Sequence, residues 1–167
     1  MVNNILAKKT VWYKSFLAMF ASGFLFFIFD FLIKNQVIDK LGNGIVKDLG
    51  VFVLRFVPNT QMAFSIPVHK VILLVVTLLI LFSLIQLFIY SCRDGLYGHM
   101  WALNFVIWAG LANLYDRITR GFVVDYIDFG FFPVFNLADI VIVIGLVTLL
   151  ILTSRLQNKA DLKVLEA

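Results

Sequence analysis

The sequence predicts an all-α integral membrane protein: one domain of four transmembrane helices, with a small β-sheet in the loop between helices 1 and 2. Three observations predict it. Of the 167 residues, 62% are hydrophobic and only 14% are charged, whereas a soluble domain usually carries about 25% charged residues. So few charges cannot make a water-soluble surface, so lipid must cover much of the exterior. Four apolar segments each approach the ~20 residues that a helix needs to cross the hydrocarbon core. Finally, acids and amides gather where these segments meet one membrane face, a costly place for them unless they have a task.

Segment one covers about 12–34 and is uncharged from Ser15 to Phe29. Its basic start (Lys8, Lys9, Lys14) is that of a signal peptide, but no small-x-small site precedes a polar region. The helix carries on through Asp30 to Lys34, so it reads as a retained span. In the 35–70 loop, Ile45–Val46 and Val51–Val57 are β-branched and aromatic, set among Gly42, Gly44, Gly50 and Pro58, which predicts short strands and turns. Segments two (71–92) and three (96–115) follow. Segment four (135–154) has Asp139 near its start and then fifteen uncharged residues, Ile140 to Ser154. Irregular backbone cannot face lipid, so all four are read as helices. The tail after Ser154 is short and mixed in charge, and no internal repeat stands out.

Charge excludes some functions and leaves orientation open. The net charge of +4 comes without a basic run, Lys8–Lys9 being the one adjacent pair, so no nucleic-acid partner is expected. Lone Cys92 allows no internal disulfide, and His69 and His99 read as isolated interfacial residues without zinc spacing. Four spans put both termini on one side. That side, with the 92–99 loop, holds Lys8, Lys9, Lys14, Arg93, Arg155, Lys159 and Lys163. The other holds Lys34, Lys40, Lys47, Arg55, Lys70, Arg117 and Arg120. The count is tied, and only the acid-free basic amino terminus favours a cytoplasmic start.

The polar residues fall into constellations. Asp30 and Lys34 share a helix face at i,i+4, either as an interfacial ion pair or as organisers of a site. Asn113, Asp116 and Arg117 stand at i, i+3 and i+4, with Gly110 and Ala112 permitting close helix approach. Asp125 follows Val123–Val124 in an extended segment returning to the membrane. Asn136 and Asp139 share a face at the start of segment four, where a plain helix cap is the lesser alternative for Asn136.

These acids limit the chemistry. Two carboxylates brought together near a dry interface settle as one protonated and one ionised, titrating jointly. That state suits an aspartic peptidase, in which the ion takes a proton from water and the acid polarises the scissile carbonyl. Neither histidine sits by a plausible serine nucleophile. Spacing alone allows Asp116 or Asp125 as the partner of Asp139. Asp116 stands beside Arg117, which would hold it as a permanent anion, so Asp125 is preferred.

In this order, Asp30/Lys34, Asn59-Thr-Gln-Met-Ala63-Phe64, Ala112-Asn113-Leu-Tyr-Asp116-Arg117, Val123-Val124-Asp125-Tyr126 and Phe135-Asn136-Leu-Ala138-Asp139 resemble the motifs of the lipoprotein signal peptidase (signal peptidase II) family. The resemblance runs from about Asp30 to Gly145. Departures are Gln61 and Met62 for a small Gly-Ala, Phe31 for a Gln, Ala112 for a Gly, Ile140 for a Ser, and a short 125–139 segment. They mark a divergent member, or one with altered substrate preference or inhibitor sensitivity. The resemblance implies cytoplasmic termini, an extracytoplasmic 35–70 loop with its sheet cradling substrate, and a site at the outer face of a bacterial cytoplasmic membrane. It implies Asp125 and Asp139 as the catalytic dyad, with Asn59, Asn113, Asp116, Arg117 and Asn136 supporting the site and meeting substrate backbone. The implied partner is a prolipoprotein signal peptide whose Cys bears diacylglycerol, cut just before that Cys, with membrane lipid beside the cleft. No metal or organic cofactor is implied, and nothing demands more than a monomer. The rival readings are a small ion-relay or transport protein, whose acids would spread through the bilayer depth, and an inactive relative that binds lipoproteins without cutting them.

Overall fold

The computed structural model describes residues 2–60 and 69–165. The chain runs α1 (Val2–Leu41), β1 (Val46–Asp48), β2 (Val53–Asn59), α2 (Lys70–Arg93), α3 (Tyr97–Thr119), β3 (Val123–Asp128) and α4 (Leu137–Leu165). Each apolar segment is a helix. Ser15–Leu41, Lys70–Arg93 and Leu137–Asn158 are long and apolar enough to cross a membrane. α3 is also long, at 23 residues, but it carries His99, Asn104, Asn113 and Asp116, all buried. Its polarity points inward because α3 is the hub: α1, α2 and α4 each pack on it.

Small residues set these contacts. Gly110 lets α2 close on α3, since a Cβ there would stand 2.9 Å from Leu81 Cδ2. Ala109, Ala112 and Ala138 form the buried seam between α3 and α4, with Phe26 and Phe27 of α1 against it. On α1 the exchange is aromatic. Trp108 fills the space left by Gly23 and meets Phe20, Phe24 and Phe27 edge-on at 5.2, 5.6 and 6.0 Å.

Two expectations are corrected. α1 does not stop near Lys34 but continues to Leu41, because Val37 and Leu41, one turn apart, bury themselves against Val124 and Tyr126. The sheet is not confined to the 35–70 loop. It is antiparallel in the order β1-β2-β3, and its third strand arrives from beyond α3, so the fold is not purely helical. His99, in the first turn of α3, is buried, with Nε2 3.3 Å from Thr153 Oγ1 of α4. His69 caps α2, its Nδ1 accepting from Val71 N at 3.4 Å.

The register of the sheet positions the site. Val57 stands opposite Asp125 and Asn59 opposite Val123. Strand alternation then sends Val124 and Tyr126 into the core against α1 and turns Asp125 to the other face.

Candidate active site

A buried lysine is tolerated only when its charge and its donors are met. Lys34, 1% exposed, meets three acceptors: Asp30 Oδ2 at 2.8 Å, Asp116 Oδ2 at 3.0 Å and Asn113 Oδ1 at 2.9 Å. Asp116 pairs through Oδ1 with Arg120 Nη1, and Arg120 Nη2 donates to Asn35 Oδ1 at 2.6 Å. Two acids and two bases thus neutralise one another between α1 and α3. Asp116 Oδ2 also accepts from Val124 N at 3.3 Å, which pins β3 one residue before Asp125.

Asn113 carries this cluster to the carboxylates. Its Oδ1 accepts from Lys34, so its Nδ2 must face the other way, and it donates to Asp139 Oδ1 at 2.8 Å. Asn136 acts both as cap and as bridge. Its Oδ1 accepts from Asp139 N at 3.0 Å, while Asp139 Oδ2 accepts from Asn136 N at 3.1 Å, a reciprocal capping arrangement. Its Nδ2 remains free for Asp125 Oδ1 at 2.7 Å and Asn113 Oδ1 at 3.3 Å. Asn59 Nδ2 donates to Asp125 Oδ2 at 2.8 Å. Asp30, Lys34, Asn59, Asn113, Asp116, Asp125, Asn136 and Asp139 are therefore joined by one network of ion pairs and hydrogen bonds.

Both carboxylates face a cleft of about 960 Å³. Its polar end holds Asn59, Asn113, Arg117, Asp125 and Asp139. Its apolar length runs between α2 (Leu73, Ile80, Leu84) and α4 (Ile142, Val143, Leu146). Burial, and then the charge of Asp139, push the Asp125 carboxyl up to about 6, and the Asn59 and Asn136 amides restrain the rise. Burial also pushes the Tyr126 phenol well above its usual value.

Arg117 departs from its expected place. It is not the partner of Asp116, which turns toward Lys34 and Arg120. Instead it lines the cleft, and its buried Nε makes no hydrogen bond among the described residues. The Asn59-to-Phe64 motif is described only to Thr60, so Gln61, Met62, Ala63 and Phe64 lie outside the described residues.

Two contributors escaped the sequence reading. Arg120 stands four residues after Asp116, the spacing that paired Asp30 with Lys34, and the same rule would have found it. It also lies over the Phe31 ring at 5.5 Å, and Phe31 meets Tyr115 edge-on at 5.6 Å, which gives the departure at Phe31 its packing partners. Tyr126 accepts from Leu137 N at 3.3 Å through its hydroxyl, joining β3 to the start of α4. No local signal marks it.

The family described as Signal peptidase (SPase) II matches residues 8–155. The chain belongs to the signal peptidase II family. Among curated relatives, the lipoprotein signal peptidase of Halothermothrix orenii is 35% identical over 80% of this chain and 93% of its own length. That of Clostridium acetobutylicum is 33% identical over 81% and 92%. The fold is similar to a bacterial membrane enzyme solved by the in meso method at 2.3 Å, with a TM-score of 0.69 at 24% identity over 89% of this chain and 90% of that one. As a signal peptidase II, the chain is a membrane-bound aspartic peptidase.

Proposed function

We propose that this chain removes signal peptides from diacylglyceryl-modified prolipoproteins, with Asp125 and Asp139 as the catalytic pair. The observation that carries the reading is Asn136, which donates to Asp125 through its side chain and to Asp139 through its backbone, on the wall of one cleft. The pair shares one proton. We assign it to Asp125, whose carboxyl is raised by burial and by its neighbour's charge. Asp139 then takes a proton from water as its oxygen attacks the scissile carbonyl carbon, and Asp125 gives its proton to the carbonyl oxygen. Collapse of the diol breaks the C–N bond, and the amine leaves with a proton from the pair. Arg117, which lines the cleft, binds a substrate carbonyl. The signal helix lies along the apolar length of the cleft, with its diacylglyceryl chains in lipid.

α3 is the fourth span in this reading: its length suffices, and its buried polar residues face the bundle rather than lipid. Both termini then lie in the cytoplasm, the site lies at the extracytoplasmic face, and the chain works as a monomer. The test is Asp125→Asn and Asp139→Asn in full-length protein in membranes, assayed for prolipoprotein cleavage. Each variant should lose about 10²–10⁴-fold in turnover, the scale on which removal of a general acid or base is felt. Normal turnover by both would reject the pair. Ion flux in liposomes without cleavage would support the transport alternative.

A further inference from the structure

A five-residue pattern occurs twice: Asp48-Leu-Gly-Val-Phe52 and Asp128-Phe-Gly-Phe-Phe132. The two copies fold alike. Asp48 Oδ1 accepts from Gly50 N at 2.7 Å, and Asp128 Oδ1 accepts from Gly130 N at 2.7 Å. Both glycines are left-handed, with φ of 81° and 79°, a conformation that other residues rarely adopt. Each turn then projects the residue that follows. Val51 is 79% exposed and Phe131 87% exposed.

The sheet sets these turns side by side. Val53 is the register partner of Asp48 on one side and of Asp128 on the other, so both turns leave the same end of the sheet. Asn59 and its bond to Asp125 lie at the opposite end of β2. The Phe52 and Phe129 rings, 5.6 Å apart, tie the turns together. Leu49 and Phe132 are exposed beside the tips.

We infer that these twin turns are an interfacial anchor whose apolar tips, Val51 and Phe131, sit in the outer-leaflet lipid and hold the sheet against the bilayer. Three observations favour lipid over a fitted partner. The tips stand in open space: a Cβ built on Gly50 or Gly130 would meet nothing within 4 Å, so no neighbouring element of the described residues covers them. The surface is continuous with a membrane helix, because Phe132, Pro133 and Val134 wall the same cleft as Ile142, Val143 and Leu146 of α4. Finally, each turn's aspartate bonds back to its own glycine amide, leaving the tip side chains purely apolar. Contiguous exposed apolar surface of this kind marks an interaction site, and beside a transmembrane helix the adjoining medium is lipid.

The test uses the full chain in lipid nanodiscs at one copy per disc, with Cys92→Ser as background. Val51→Cys, Leu49→Cys and Phe131→Cys each carry an environment-sensitive fluorophore, and Asp94→Cys, in the exposed turn between α2 and α3, is the aqueous control. The expected result is blue-shifted emission at the turn positions, a severalfold loss of quenching by aqueous iodide relative to position 94, and strong quenching by lipid-borne nitroxide. Leu49 gives a reading should a tip label disturb its turn. Iodide quenching equal to the control would overturn the anchor. Shielding that appears only when a lipidated peptide is added would assign the surface to substrate instead. Shielding that appears only with two copies per disc would assign it to a second chain. Each of the last two results also overturns the anchor, and none depends on which carboxylates act.

Discussion

At the scale of one residue, Asp125 has a conflict built into it. Its carboxyl is raised from 3.8 to about 6, which corresponds to roughly 3 kcal/mol against the anion in the folded protein. For a carboxyl raised on folding, the folded state binds its proton more tightly, so the penalty is absent below about pH 4 and complete above about pH 6. Asp125→Asn should therefore raise the thermal midpoint in detergent at pH 8 while abolishing turnover. The gain should vanish at pH 4, and part of it is offset because an amide cannot accept from both Asn59 and Asn136. In the wild type, kcat/KM should fall as pH rises through about 6, where the pair loses its shared proton. Asn59→Ala removes a bond that favours the anion, so it should move that limb to higher pH, read from a kcat/KM profile. An unmoved limb would remove Asn59 from the electrostatics of the site. The aspartates themselves were legible, because an acid at the mouth of an apolar segment has few ordinary explanations. The partner of Asp116 was misread, because adjacency in sequence suggested Arg117 whereas one helical turn selects Arg120.

At the scale of elements, the apolar lengths located all four helices, because hydrophobic runs are local information. The continuation of α1 to Leu41 and the recruitment of β3 were not legible. Both depend on Val37 and Leu41 meeting Val124 and Tyr126, a contact between segments far apart in sequence. The close approach of α3 to α4 has a direct test. Gly145 leaves room for Val106, and a Cβ there would collide with Val106 Cγ2. Gly145→Ala should destabilise by about 1–3 kcal/mol, the usual cost of overpacking, and should lower the melting temperature in detergent. Val106→Ala in the same chain should restore most of the loss. If the double variant melts no higher than Gly145→Ala alone, the steric account fails.

At the scale of the whole molecule, the Lys34 cluster makes the carboxylate geometry a property of three segments at once. Lys34 comes from α1, Asp116 and Asn113 from α3, and the amide of Val124 from β3. Stability and orientation can be separated here. Lys34→Met strands Asp30, fully buried, without its cation, while Asp116 keeps Arg120. Breaking a buried pair from one side costs about 3–5 kcal/mol, so Lys34→Met should melt far below wild type. Asp30→Asn added to Lys34→Met removes the stranded charge and should recover most of the melting temperature. Turnover should not recover. Without Lys34, Asn113 Oδ1 retains only the 3.3 Å contact from Asn136, and nothing then forces Asn113 Nδ2 to face Asp139. A double variant that regains stability but stays depressed in kcat, with KM little changed, would identify Lys34 as a positioning residue acting through Asn113. Recovery of both together would reduce the cluster to a structural ion pair.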